Sequence, residues 1–364
     1  MATFPFVKLS GELQLLILGE CDPVTAGKLL DLNPLLQGLY IRYPDRVFRA
    51  ILSNVPEPAA ALARVSLDFL TLADENFDAI PIMNFLRRYS LFEWCLLQPS
   101  PLDLVGDPLG VLSTMVDLFV EVDEAARAIG ECWAAGVETF LNPYMQPEPA
   151  ALSDTEHVRI ACSLWVVQVY YQMRVQCAPY PPEISHDFSH AFLKGLEPWQ
   201  VEQGRCIDRF VRAYCYEWTG SLHHIANVRP SLLQQLSGSK YLSRFRSMFE
   251  ENTAAQKFVP HFSRAAGNVQ RSHNNIHLDS NALGNPACDS KISVITERLK
   301  NYAWTLYEVQ VQESQTHLNP DYERQMFWNL GFLFWDAERR ISTHSQGSDS
   351  PVLANTLYAQ FLHK

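Results

Sequence analysis

Residues 9–52, LSGELQLLILGECDPVTAGKLLDLNPLLQGLYIRYPDRVFRAIL, carry a strong helical pattern close to the amino terminus. Ser10 is a favoured residue at the start of a helix. Leu13, Leu16 and Ile17 follow at spacings of three and four, which indicates one face of a helix. Chain ends usually fray. A short apolar helix in this position therefore indicates a docking module that offers part of its apolar face to another protein.

Two further short helices are predicted in the same stretch. The Cys-Asp-Pro sequence at 21–23 ends the first helix, and VTAGKLLDLN supplies the second. PLLQGLYIRYPDRVFRAIL supplies the third, which is interrupted before Pro44. Three short helices bury too little apolar surface to be stable alone, so they need the following domain, a partner or both. We predict a three-helix module over residues 1–53.

The rest of the chain, residues 54–364, is predicted to form a larger helical domain, because apolar spacings of three and four dominate over alternation. The predicted helices are 58–73, 82–97, 109–133, 154–176, 200–218, 231–250, 292–313 and 324–340. The helix at 154–176 is apolar on nearly all sides and should be central, although its valines and tyrosines also suit a strand. A stretch rich in Asn, Ser, Asp and Gly at 266–291 predicts a long loop. The fold class is all-α.

Composition narrows the classes of function. The chain has 364 residues, of which 47% are apolar and 19% charged, as in a globular protein. A formal net charge of -11 disfavours binding to nucleic acid. No apolar run reaches the roughly 18 residues of a membrane helix, and we see no secretory signal. The eight cysteines are scattered with no C-x-x-C pair, which predicts buried free thiols in a cytoplasmic or nuclear protein.

The amino-terminal stretch resembles an F-box, in the divergent form that is common in fungal proteins. In that family a Leu-Pro-x-Glu-Leu start, an Ile-Leu pair, an Asp-Pro turn and a leucine-rich helix precede a Tyr-Pro and a helix that ends in Leu. The likeness covers about residues 6–52. This chain has Ser10 where the family has Pro, and it has Leu36 and Leu39 in the third helix instead of Trp. The resemblance implies these adaptor-binding or supporting residues: Leu9, Leu13, Leu16, Ile17, Pro23, Leu29, Leu30 and Leu32.

What the resemblance implies is a substrate-receptor subunit of an SCF-type ubiquitin ligase. The F-box would bind a Skp1-like adaptor and, through it, a cullin. The helical domain would bind a target protein that the sequence does not identify. Such a subunit is not an enzyme itself, and no cofactor, metal, nucleic acid or membrane partner is expected.

Two alternatives belong to other classes. The first is a helical enzyme or small-molecule binder similar to a class I terpene cyclase, because Asp74, Glu75 and Asp78 form an acidic cluster of the kind that holds Mg²⁺. The second metal motif of that family would fall at Asn227, Ser231 and Gln235, where Gln replaces Glu and a proline interrupts the helix. The second alternative is a scaffold with the module but no role in ubiquitin transfer.

Two histidine pairs have a spacing that zinc accepts on a helix. His186 and His190 are four residues apart, as are His273 and His277. Neither pair has the Glu of H-E-x-x-H, and the second pair lies in the Asn-rich stretch. We interpret them as polar histidines and predict no metal site.

Overall fold

The computed structural model describes residues 8–55, 59–60, 62–63, 66, 107–141, 151–177, 192–193, 196, 198–216, 239–243, 331 and 334. Its helices are α1 (Gly11–Gly19), α2 (Pro23–Leu32), α3 (Pro34–Arg42), α4 (Pro44–Ser53), α5 (Pro108–Leu141), α6 (Asp154–Cys177) and α7 (Pro198–Tyr216). No strand occurs in these ranges. The all-α prediction is therefore confirmed. The predicted helices at 82–97 and 292–313 and the loop at 266–291 lie outside the described residues.

The chain divides into two compact units. One unit holds residues 1–125 and 168–195, and the other holds residues 126–167 and 196–364. The predicted module at residues 1–53 is part of the first unit. Its separation from residues 54–364 as an independent domain stays a prediction.

Within residues 8–55, all of which the structure describes, the chain forms four short helices. The prediction of three helices is not confirmed, because the third predicted helix is two helices, α3 and α4. They meet at Tyr43, whose φ of -134° and ψ of 48° lie outside the helical region. The following Pro44 disfavours a helical conformation at Tyr43 and then begins α4.

Polar side chains fix the starts of α2 and α3. The Asp22 carboxylate accepts hydrogen bonds from the backbone N–H groups of Val24, at 2.9 Å, and Thr25, at 3.0 Å. The Asn33 side-chain oxygen accepts from the N–H groups of Leu35 and Leu36 at 3.1 and 3.3 Å. In both helices a proline occupies the first turn, where its missing N–H costs nothing. The Asp-Pro and Asn-Pro pairs thus define sharp helix starts.

In the first unit, the four short helices share a core and pack on the beginning of α5. The buried apolar side chains include Leu18, Ala26, Leu30, Leu36, Tyr40, Val47, Phe48 and Ile51. The Tyr40 hydroxyl donates to the carbonyl of Pro108 at 3.3 Å. A β-carbon at Gly27 would lie 2.9 Å from a methyl group of Val116, so α2 and α5 are in close contact there.

The second unit has an aromatic centre. Trp133 stacks on Phe334 with ring centroids 5.1 Å apart and meets Phe210 edge to face at 5.5 Å. Gly331 has a φ of 60° and lies so close to the Trp133 ring that a β-carbon would clash with it. The prediction of a continuous helix over 324–340 is therefore wrong at Gly331. Glycine adopts this left-handed conformation without steric cost, and its missing side chain leaves room for the indole ring of Trp133.

The prediction for the most apolar segment is confirmed. Residues 154–176 were expected to form a central helix, and α6 covers Asp154–Cys177. The described side chains from Arg159 to Gln172 are buried, apart from the half-buried Ala161. Length explains why a helix forms despite the valines and tyrosines, because strands rarely exceed about 10 residues.

Candidate docking surface

Only part of the apolar surface of helix α1 is buried against the rest of the chain. The Ser10 hydroxyl accepts from the Leu13 N–H at 3.5 Å, so the predicted cap is present. Leu18 is fully buried, whereas Leu13, Leu16 and Ile17 are 47%, 61% and 38% exposed. These three side chains lie at spacings of three and four, on one face of the helix. We call this face, Leu13, Leu16 and Ile17, the α1 strip.

The opposite side of α1 is held firmly against α4. The Asn54 amide group donates to the carbonyls of Gly19, at 2.6 Å, Cys21, at 3.1 Å, and Ala50, at 3.2 Å. A β-carbon at Gly19 would lie 2.9 Å from that of Ala50, so the two helices touch at this point. The α1 strip is therefore an exposed apolar face on an anchored helix.

The other predicted docking residues are divided between surface and core. Leu32 is 83% exposed at the end of α2. Leu9 and Leu29 are half-buried, while Pro23 and Leu30 are buried. Leu30 packs in the core of the module and Pro23 begins α2, so both have structural roles within the chain. The adaptor-binding role of all eight residues stays a prediction.

Sequence reasoning missed three exposed apolar side chains on and after α3. Leu35, Ile41 and Tyr43 are exposed, Leu35 at 68%. The helical period contains the signal for the first two, because Leu36 and Tyr40 point inward and positions 35, 38 and 41 fall on the opposite side. Since five of the nine residues of α3 are Leu, Ile or Tyr, composition alone does not distinguish the two sides.

The charges around the exposed apolar side chains differ between α1 and the α3–α4 junction. Exposed Glu12 and Glu20 lie near the ends of α1, whereas exposed Arg42 and Arg46 lie around the α3–α4 junction. The Arg42 guanidinium lies 5.5 Å from the centroid of the Tyr43 ring. The apolar surface of the module thus has an acidic margin at α1 and a basic one at the end of α3.

The pKa of Asp22, at the start of α2, is shifted by its surroundings. Partial burial acts to raise the pKa of Asp22, but hydrogen bonds from the Thr25 hydroxyl and from the N–H groups of Thr25 and Val24 outweigh it. The net result is a pKa below the ordinary value for aspartate. Asp22 therefore stabilises the start of α2 as a carboxylate.

The described residues offer little for covalent or metal chemistry. Within the ranges that the structure covers, no cluster of three His, Cys, Asp or Glu side chains could hold a metal ion. Burial raises the pKa of the Cys132 thiol to about 12, and burial raises that of Cys206 well above its ordinary value. Such thiols are poor nucleophiles. Cys21, Cys132, Cys162 and Cys206 are all free thiols.

The residues on which the cyclase-like alternative and the histidine pairs depend lie outside the described part of the chain. This holds for the acidic cluster at 74–78, for the positions 227, 231 and 235, and for the histidine pairs at 186/190 and 273/277. Those interpretations stay predictions.

Comparisons with known proteins give no relative for this chain. No family model, no curated protein and no solved structure matches it. Among the helices that the structure describes, none is both long and apolar enough to cross a membrane.

Proposed function

We propose that this chain is the substrate-receptor subunit of an SCF-type ubiquitin ligase. Its amino-terminal module binds Skp1 and, through Skp1, a cullin. The helical remainder binds the protein that is to be modified. The subunit forms and breaks no covalent bond, because its role is to hold two other proteins near each other.

The observation that carries the proposal is the exposed α1 strip. An isolated surface leucine is ordinary, but adjacent exposed apolar side chains on one face mark a contact site. Leu13, Leu16 and Ile17 form such a group, on the helix that carries the start of the F-box-like sequence. Complete burial of a leucine or isoleucine side chain contributes about 1.5–3 kcal/mol. The strip alone can therefore supply a substantial part of the binding free energy for an adaptor.

The anchoring of α1 supports the same proposal. A contact surface gains affinity when it is held in its bound shape before the partner arrives. Asn54, which follows α4, donates to the Gly19 and Cys21 carbonyls at the end of α1, and Tyr40 ties the module to the first residue of α5. Only the outer face of α1 is left for a partner.

The test is binding of purified Skp1 to the full-length chain. We expect the double variant Leu13→Asp, Ile17→Asp to reduce affinity at least a hundredfold, because two charges would have to be buried in an apolar contact. A matched double variant, Ser113→Asp, Thr114→Asp, introduces the same charges at exposed positions of α5 and should bind like the wild type. Point variants are preferable to deletion of the module, since α5 packs against it.

Skp1 binding that is unaffected by the α1 substitutions would contradict the assignment of the strip, and no binding by the wild type would contradict the function. A second measurement separates a ligase receptor from a scaffold. In the presence of ubiquitin, ATP and a ubiquitin-activating enzyme, addition of a cullin, its RING subunit and a ubiquitin-conjugating enzyme should lead to ubiquitin transfer to a bound protein. Skp1 binding without such transfer would favour the scaffold.

A further inference from the structure

The α1 strip exposes adjacent large apolar side chains to water when no adaptor is bound. Burial of such a surface is favourable, whatever apolar group covers it. A segment of the same chain has an advantage over any other cover, because a linker holds it at a high effective concentration. An amphipathic segment elsewhere in the chain is therefore the first occupant to consider for the free protein.

Residues 351–364, PVLANTLYAQFLHK, have the sequence pattern of an amphipathic helix and lie outside the described part of the chain. The large apolar residues of 353–362 fall on one half of a helix with 3.6 residues per turn: Leu353, Leu357, Tyr358, Phe361 and Leu362. The other half carries Asn355, Thr356, Ala359, Gln360 and His363. This pattern is typical of a helix that buries one side against another surface.

The segment matches α1 in length and has a linker that lets it reach a distant surface. At a rise of about 1.5 Å per residue, a helix over 353–362 is roughly 15 Å long and the nine-residue α1 is roughly 13 Å long. Residues 341–350, ISTHSQGSDS, are mostly polar and predict a loop, which spans up to about 35 Å when extended. A folded chain of 364 residues has a radius of gyration of only about 21 Å.

Charge favours the same occupant and gives it a direction. Glu20 follows Leu16 by four residues and is exposed, so its carboxylate continues the line of the α1 strip. It has no ion pair within the part of the chain that the structure describes. The segment contains Lys364 and no Asp or Glu, and Lys364 follows Phe361 by three residues. A segment that runs in the same direction as α1 brings Lys364 to Glu20, whereas the opposite direction would bring it towards the exposed Lys8.

We propose that residues 351–364 form a helix that covers the α1 strip of the same chain in the absence of an adaptor, with Lys364 paired to Glu20. The regulatory consequence rests on the proposed function, because the segment and Skp1 then compete for one strip. The structure has the strip uncovered, which is the state that binds the adaptor. The apparent affinity for Skp1 is the intrinsic affinity multiplied by the fraction of chains in that state.

The first test is the variant Leu357→Asp, Phe361→Asp in the full-length chain. It should release the segment, because two carboxylates would have to be buried in an apolar contact. If about nine chains in ten are covered, the affinity for purified Skp1 should rise about tenfold. The control Asn355→Asp, Thr356→Asp adds the same charges to the polar half and should bind Skp1 like the wild type. Both variants should unfold within about 2 °C of the wild type, and a lower midpoint for the first alone would assign Leu357 and Phe361 to the core and overturn the inference.

A fluorescein-labelled peptide of residues 351–364 tests the contact without Skp1. In fluorescence anisotropy it should bind the released variant Leu357→Asp, Phe361→Asp about tenfold more tightly than the wild type, whose own segment occupies the strip. Adding Leu13→Asp, Ile17→Asp to the released variant should weaken peptide binding at least about tenfold. A peptide with Lys364→Glu should bind about twofold to fivefold more weakly at low salt, and Glu20→Lys in the chain should restore its binding.

The outcomes separate this inference from the proposed function. Equal Skp1 affinity of the wild type and the released variant, or no binding of the peptide, would overturn the inference and leave the receptor function in place. Peptide binding at the α1 strip of a chain that does not bind Skp1 would support the contact and overturn the receptor function. A wild-type dimer that the released variant does not form would assign the segment to the strip of a second copy, and so would overturn the intramolecular contact.

Discussion

Single polar side chains determine where the helices of the module begin. Asp22 and Asn33 each satisfy two backbone N–H groups that the first turn of a helix leaves without partners. Ser10 does so for one. The sequence predicted the Ser10 cap and the break at 21–23, because capping depends on residue type and on its neighbours. It also predicted an interruption before Pro44, because proline disfavours a helical conformation at the residue before it, but it counted the segments on the two sides as one helix.

The cap at Asp22 leads to a stability prediction. Asp22→Ala should destabilise the module by about 1 kcal/mol, because the N–H groups of Val24 and Thr25 would lose their acceptor. Asp22→Asn keeps an acceptor and should lose much less. Urea unfolding followed by far-ultraviolet circular dichroism measures both differences. Equal stability of the alanine and asparagine variants would contradict the role of the cap.

The pH dependence of the same residue has a definite sign. The folded-state pKa of Asp22 is lowered, so its contribution is fully present above the unfolded-state pKa, about 3.9. The contribution is lost as the pH falls below that value through the folded-state pKa. The stability difference between wild type and Asp22→Asn should therefore be constant from pH 6 to about pH 5 and shrink as the pH falls further, through the folded-state pKa of Asp22. A difference that stays constant as the pH falls below about 5 would show that the carboxylate charge does not matter.

At the scale of the helices, close contacts at glycine residues determine how neighbouring helices pack. Helix α1 contacts α4 where Gly19 faces Ala50, and helix α2 contacts α5 where Gly27 faces Val116. The sequence predicted that α1 and α2 are helices, but it did not predict their neighbours. A glycine in a helix can mark a close contact, a cap or an exposed site, and only the three-dimensional arrangement distinguishes these cases.

A pair of matched glycine substitutions tests this account. Gly19→Ala should destabilise the contact between α1 and α4 by about 1–3 kcal/mol, since the new methyl group would overlap with Ala50. Gly38→Ala adds the same methyl group at an exposed position, where no described residue outside the neighbouring part of α3 lies within 4 Å, and should stabilise the free chain by about 0.5–1 kcal/mol. Hydrogen exchange of the amides in α1 and α4 reports the local effect. If the two substitutions changed the stability of the chain equally, the contact at Gly19 would not be tight.

The longer helices show which features apolar periodicity predicts and which it does not. The helix predicted at 109–133 corresponds to α5, which begins at Pro108 and extends to Leu141, and the central helix predicted at 154–176 corresponds to α6. The predicted helix at 324–340 is interrupted at Gly331. Apolar spacing continues through that glycine, so the pattern gave no sign of the turn. The turn follows from the contact with Trp133, which is nearly 200 residues away in sequence and therefore invisible to a local pattern.

At the scale of the whole molecule, the all-α class was predictable and the division of the chain was not. Helical periodicity gives the class directly, whereas the two compact units combine segments that are distant in sequence. The α1 strip was predictable in part, because the spacing of Leu13, Leu16 and Ile17 places them on one face of a predicted helix. The exposed side of α3, with Leu35 and Ile41, was not, because which side of α3 is inward depends on contacts made by Leu36 and Tyr40 in the core.

The most direct test of the central claim is isothermal titration calorimetry of the full-length chain with purified Skp1 at several temperatures. If the α1 strip is the docking surface, binding should have a negative heat-capacity change, the mark of apolar burial. Leu13→Asp, Ile17→Asp should abolish the binding heat, and Ser113→Asp, Thr114→Asp should preserve it. No binding heat from a folded wild-type chain at any temperature, or an unchanged titration for the α1 variant, would contradict the account.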